Sequence, residues 1–145
     1  MAGYSAKPLW SKLGFKPDTE VVLIGAPRDW SIPGAPAQLR LAREAGDVRA
    51  SARAESVIAF VPALAALRKQ LPRIAERIFP EGALWIAWPR RAGGHDSDIR
   101  EQDIRDLALP LGLVDVKVAA LDDHWSGLRL VWRVERRAAG RPGRR

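Results

Sequence analysis

The chain of 145 residues suits one domain with its own core. With 47% apolar and 28% charged residues it has the balance of a soluble globular protein, and no apolar run approaches the roughly 20 residues of a membrane helix. The absence of cysteine excludes disulfides and thiolate metal sites, and the net charge of +7 raises the question of an anionic partner.

The N-terminus "MAGYSAKPLWSKLG" lacks the apolar core of a signal peptide, so a cytoplasmic location is expected. Lys7 to Gly14 reads as a short helix closed by glycine. Val21 to Pro27, "VVLIGAP", is a continuous apolar run bounded by turn residues, the pattern of a strand buried on both faces. "RDWSIPGAP" is loop. Ala37 to Gly46, "AQLRLAREAG", has helical composition, and Val48 to Ala52 is a weak strand. Ser56 to Pro62, "SVIAFVP", is a second buried strand.

Leu64, Leu67, Leu71, Ile74 and Ile78 then recur at helical spacing, and Pro72 should kink that helix or restart it. Gly82 to Trp88 is the third strong strand. Ile104, Leu107, Ala108 and Leu111 mark another helix, with Gly112 as its C-cap and Asp98 and Glu101 at capping-box spacing. In "LVDVKVAAL" and "LRLVWRV" apolar residues alternate with charged ones, which predicts strands near a sheet edge joined as a hairpin by "DDHWSG". The last ten residues hold five of the 24 basic side chains and no acid, so the rest of the chain carries only +2. The expected organisation is one domain over residues 1–135 and a disordered Arg-rich tail over 136–145.

Buried strands alternating with amphipathic helices imply an α/β, three-layer Rossmann-like fold: a mostly parallel sheet with a C-terminal antiparallel hairpin, as in methyltransferases. A flavodoxin-like domain would not need the hairpin. In such sheets ligands bind beyond the carboxyl ends of the strands. Four segments are expected there: Gly25 to Trp30, Pro62, Pro89 to Asp98, and Asp122 to Gly127.

The phrases "AGYSAKPLWSKLGFKP", "APRDW", "GALWIAWPRRAGG" and "LGLVDVKVAALDDHWSGLRLV" resemble the bacterial domain-of-unknown-function 3052 family over roughly residues 2 to 133. The resemblance implies a methyltransferase-related fold and brings no activity with it. Arg90 and Arg91 stand where that family usually has lysines, the loop His95 to Asp98 differs, and Arg100 replaces a Thr-like cap.

The turn "IGAPRDW" has one glycine followed by proline, so the glycine-rich fingerprint for S-adenosylmethionine (SAM) is absent. Glu55 would reach the ribose position only if the second strand ran longer. The reading therefore predicts no cofactor, and it leaves catalysis open while leaning against it. Arg28, Arg90 and Arg91 are candidates to hold a phosphate or carboxylate, against a neutralised basic rim as the alternative. Asp122 is a candidate to pair with Arg90 or Arg91 across the rim, against a structural role for the whole "DDHWSG" turn, which is the favoured reading. Trp30, Trp88 and Trp125 are candidates to stack a nucleobase, although core packing suits most of the six tryptophans. His95, Asp96, Asp98, Asp122, Asp123 and His124 lack metal-ligand spacing, and no metal is predicted.

The leading expectation is a non-catalytic binder of a small nucleotide or other anion at Arg28, Trp30, Arg90, Arg91, Asp122 and Trp125. Two alternatives stand beside it. One is an interaction module for RNA or a protein partner through the basic tail and the edge strand. The other is a methyltransferase-related enzyme.

Overall fold

The computed structural model describes residues 8–45 and 52–138. Its elements are α1 (Leu9–Lys12), β1 (Glu20–Ile24), β2 (Arg40–Glu44), β3 (Ser56–Phe60), α2 (Leu64–Arg77), β4 (Ala83–Pro89), α3 (Glu101–Ala108), β5 (Leu113–Ala120), β6 (Trp125–Trp132) and α4 (Val134–Arg137). Six strands form one sheet in the order β2-β1-β3-β4-β6-β5. β2, β1, β3 and β4 are parallel, and β6 is antiparallel to both β4 and β5. This is the Rossmann-like layout with a terminal hairpin. The last strand enters the sheet between β4 and β5, so only β5 of the hairpin lies at an edge.

The central strands are buried because their residues are apolar on both faces. Val57, Ile58, Leu84, Trp85 and Ile86 are wholly inaccessible. One face packs on α2 and α3 through Leu67, Leu71, Ile74, Ile104 and Ala108. The other packs on Leu13, Phe15, Trp30, Ile32 and Leu39, all in loops, with Leu9 and Trp10 of α1 beside them. Trp85 and Trp88, three apart on β4, point to opposite faces, as strand geometry requires.

Several expectations are corrected. The segment 37–46 was expected to be helical, yet Arg40–Glu44 is β2, paired in register with Glu20–Ile24. Leu, Arg, Ala and Glu favour helix, but pairing with β1 and the placing of Leu41 on one face and Ala42 on the other override that propensity. The strand expected at Val48 to Ala52 falls mostly outside the described residues, and Ala52 is not in a strand. α2 continues through Pro72, whose side chain is exposed. The capping box does not use Asp98: the Arg100 amide donates to Asp103 Oδ2 at 2.8 Å. Asp98 instead caps α2, accepting from the Leu64 amide at 2.8 Å. The domain end expected at residue 135 lies inside α4, which holds Arg136 and Arg137, with Arg137 Nε donating to the Trp132 carbonyl at 3.0 Å. The rest of the basic tail lies outside the described residues. No described helix is long and apolar enough to cross a membrane.

Candidate functional site at the strand ends

The strand-end loops converge around an aromatic floor. Phe60, the last residue of β3, meets both Trp30 and Trp125, each edge-on with ring centroids 4.9 Å away. Trp30 comes from the loop after β1 and Trp125 from the start of β6. Trp125 both packs under the turn and lines the surface above it.

Asp122 ties these pieces together. Its Oδ2 accepts from Trp30 Nε1 at 2.7 Å. Its Oδ1 accepts from the amides of His124 at 2.7 Å and Trp125 at 2.8 Å. A buried indole N–H needs an acceptor, and a charged one makes a strong bond. The candidate pairing of this carboxylate with an arginine does not occur, and Asp122 takes the structural role in the turn instead. Arg90 reaches the same residue differently, donating from Nη1 to the Asp122 carbonyl at 3.2 Å and from its amide to the His124 carbonyl at 2.8 Å. The loop after β4 lies so close to the hairpin turn that a Cβ on Gly93 would stand 2.2 Å from the Asp123 carbonyl oxygen. Only glycine permits that approach.

Two clefts open on this rim. One, of about 790 Å³, is lined by Pro62, Ala63, Arg91 and the stretch Gly94 to Asp98. The other, of about 550 Å³, is lined by Pro27 to Trp30, His95, Asp122, His124 and Trp125. Both lie in the size range of small-ligand sites. His95 borders both.

Of the six candidate site residues, Arg28, Trp30, Asp122 and Trp125 share the second cleft, and Arg91 lines the first. Arg90 is half-buried and braces the hairpin. The three arginines therefore do not close one cradle. Trp88 packs on the α2 face and cannot join Trp30 and Trp125, which belong to the opposite face. Among the described residues no group of three or more His, Asp or Glu is placed to hold a metal ion.

Sequence reasoning missed Glu44. In dinucleotide-binding Rossmann sheets an acid about 20 residues after the first-turn glycine, at the end of the next strand, takes the ribose hydroxyls. With 37–46 read as helix, that position was sought at Glu55. Glu55 lies at the opposite, amino end of the strands, in a pocket with Asp18 and Arg53. Glu44 closes β2, and its carbonyl accepts from the Gly25 amide at 2.9 Å. Its carboxylate is gripped by Arg77, with Nη1 at 2.6 Å and Nη2 at 2.9 Å. These hydrogen bonds hold its pKa below the ordinary value against the opposing effect of burial. Arg77 itself is only 2% exposed, with Nε on the Ala52 carbonyl at 2.8 Å. The spacing from Gly25 was the signal that could have found Glu44.

These residues fit a SAM-type ligand in part. Glu44 is an ionised carboxylate with lone pairs beyond the two that Arg77 takes. The aromatic floor offers apolar surface. The first turn offers less: the Gly25 amide is already bonded, and Pro27 has none.

No protein-family model matches the sequence, and no curated protein matches it. Solved structures do. Magnesium protoporphyrin IX methyltransferase (ChlM) from Synechocystis PCC 6803 with bound SAM aligns at a TM-score of 0.50 and 11% identity, over 81% of this chain and 71% of that one. A LepI variant in complex with SAH and a substrate analogue aligns at a TM-score of 0.51 and 11% identity, over 86% of this chain. The alignment spans only 39% of the LepI chain. The expectation of no cofactor is overturned here, because one of these neighbours has SAM bound and the other SAH. At such identity the likeness establishes the architecture alone: this chain has the Rossmann-like fold of SAM-dependent methyltransferases.

Proposed function

We propose that this chain is a methyltransferase-related protein that holds a SAM-type ligand beyond the carboxyl ends of β1, β3 and β4. The observation that carries the reading is the joining of the strand-end loops over an aromatic floor, in the fold that it shares with SAM- and SAH-bound neighbours. Glu44, held ionised by Arg77, is the acceptor for ribose hydroxyls. Trp30 and Trp125 supply apolar surface, while Arg28 and Arg91 supply positive charge for a carboxylate at the rim. Asp122 and Arg90 keep the loops in place rather than touch the ligand. A SAM-type ligand, when bound, supplies an electrophilic methyl group on a sulfonium. The resemblance to the domain-of-unknown-function 3052 family belongs to this proposal, since "LWIAWP" lies in β4 and "DDHWSGLRLV" covers the hairpin turn and most of β6, which wall the site.

The test is thermal unfolding of the full chain with SAM, SAH, common nucleotides or sugar phosphates. A ligand at about 100 times its Kd adds about 2.7 kcal/mol, enough to raise the midpoint by several degrees. SAM or SAH should give that shift, and Glu44→Gln or Arg91→Ala should reduce it. A shift given only by nucleotides or sugar phosphates would return the site to a general anion binder. No shift with SAM or SAH would overturn the reading.

A further inference from the structure

His95 and His124 lie 29 positions apart in sequence, in the loop after β4 and in the hairpin turn. The fold brings His95 Nε2 within 2.9 Å of His124 Nδ1, with the rings edge-on and their centroids 5.1 Å apart. Both side chains are exposed, so burial does not force this contact. The backbone does. Arg90 stands between the two residues: its carbonyl accepts from the His95 amide at 3.3 Å, and its amide donates to the His124 carbonyl at 2.8 Å. The Asp122 carboxylate fixes the His124 amide from the other side. The backbone thus brings two imidazoles side by side, edge to face, before any ligand arrives, and such preorganisation favours binding.

We infer that His95 and His124 form a two-imidazole chelate for a divalent transition-metal ion of the copper or nickel type, at the seam between the two clefts. Two nitrogens about 2.0–2.1 Å from an ion and at right angles to each other stand about 2.9 Å apart. The hydrogen bond already sets that separation, and both rings need only turn so that their lone pairs meet at the ion in place of the shared proton. A tetrahedral ion would need them at about 3.3 Å. Right-angled nitrogen and oxygen ligands suit Cu2+ and Ni2+, which also lead the affinity order for such donors. As the ion enters, the imidazole that donates in the present hydrogen bond moves its proton to its other ring nitrogen, so both facing nitrogens offer lone pairs. No third side-chain ligand is supplied by His, Asp or Glu among the described residues. Water would fill the other positions, and both histidines border the cleft that holds Trp30 and Trp125.

The experiment is calorimetric titration of the full chain with Cu2+ and with Ni2+, joined to electron paramagnetic resonance of the copper form. One ion should bind per chain, with the signature of two equatorial imidazole nitrogens. His95→Gln and His124→Gln should each weaken binding by about tenfold or more. Acidification should weaken it too, because protons compete for the same nitrogens. The inference is overturned if the wild-type chain binds no ion saturably, if both substitutions leave the affinity unchanged, or if only one of them matters. None of these outcomes depends on whether SAM binds.

Discussion

The two faces of the sheet are covered by different means. On one face α2 and α3 lay apolar stripes against the strands, and Leu67, Leu71, Ile74 and Ile104 are at most 1% exposed. On the other face the four-residue α1 and irregular loops do the covering. Loops have no repeating apolar stripe, so directed bonds hold them. Trp85 Nε1 donates to the Leu13 carbonyl at 2.9 Å, and Trp30 Nε1 donates to Asp122. The helix face has directed bonds too, such as Trp132 Nε1 to the Ala75 carbonyl at 2.8 Å and Arg77 to Glu44, but they sit around an already regular apolar interface. The difference fixes where a site can form. Helices bury their stripe uniformly, whereas bonded loops leave clefts between their anchor points.

The largest effect should come from the helix face. Leu67→Ala removes a wholly buried side chain, and unfolding in urea should show a loss of about 3 kcal/mol. Hydrogen exchange at the hairpin turn should keep its native pattern relative to global unfolding. A smaller loss, below about 1 kcal/mol, would mean that this face packs loosely and would break the comparison.

An intermediate effect is expected on the loop face. Asp122→Ala strips the acceptor from the Trp30 indole and from two amides, and should cost about 2 kcal/mol. The amides of His124 and Trp125 should then exchange faster than the rest of the sheet. If they stay as protected as β4, the loops are held by packing and not by this carboxylate.

The smallest effect sharpens the boundary between the two regions. Asp98 lies in the site loop but caps α2. Asp98→Ala should cost about 1 kcal/mol and loosen the first turn of α2, read by exchange at Leu64 and its neighbours. Loosening at the start of α3 instead would restore the capping role first expected from the sequence.

The parts of the fold that were legible share one property. β1, β3 and β4 are continuous apolar runs, α2 and α3 carry apolar stripes, and the hairpin alternates. Each pattern is local, so it survives in the sequence. β2 was missed because edge pairing with β1, not its own composition, makes Arg40–Glu44 a strand. Read as helix, the segment puts no acid at the end of a second strand, whereas as β2 it ends on Glu44, at the opposite end of the sheet from Glu55.

The site divides in the same way. The sequence by itself determined the order of elements, and with it the strand ends where loops would meet. It also picked out Trp30, Asp122 and Trp125 as residues of that rim. Tertiary structure alone decided their partners: Asp122 with the Trp30 indole rather than an arginine, Glu44 with Arg77, and His95 with His124. The physical reason is range. Periodicity records which side of an element faces the core, within a few residues along the chain. A hydrogen bond between loops depends on where the whole sheet places their ends, and no local pattern carries that distance.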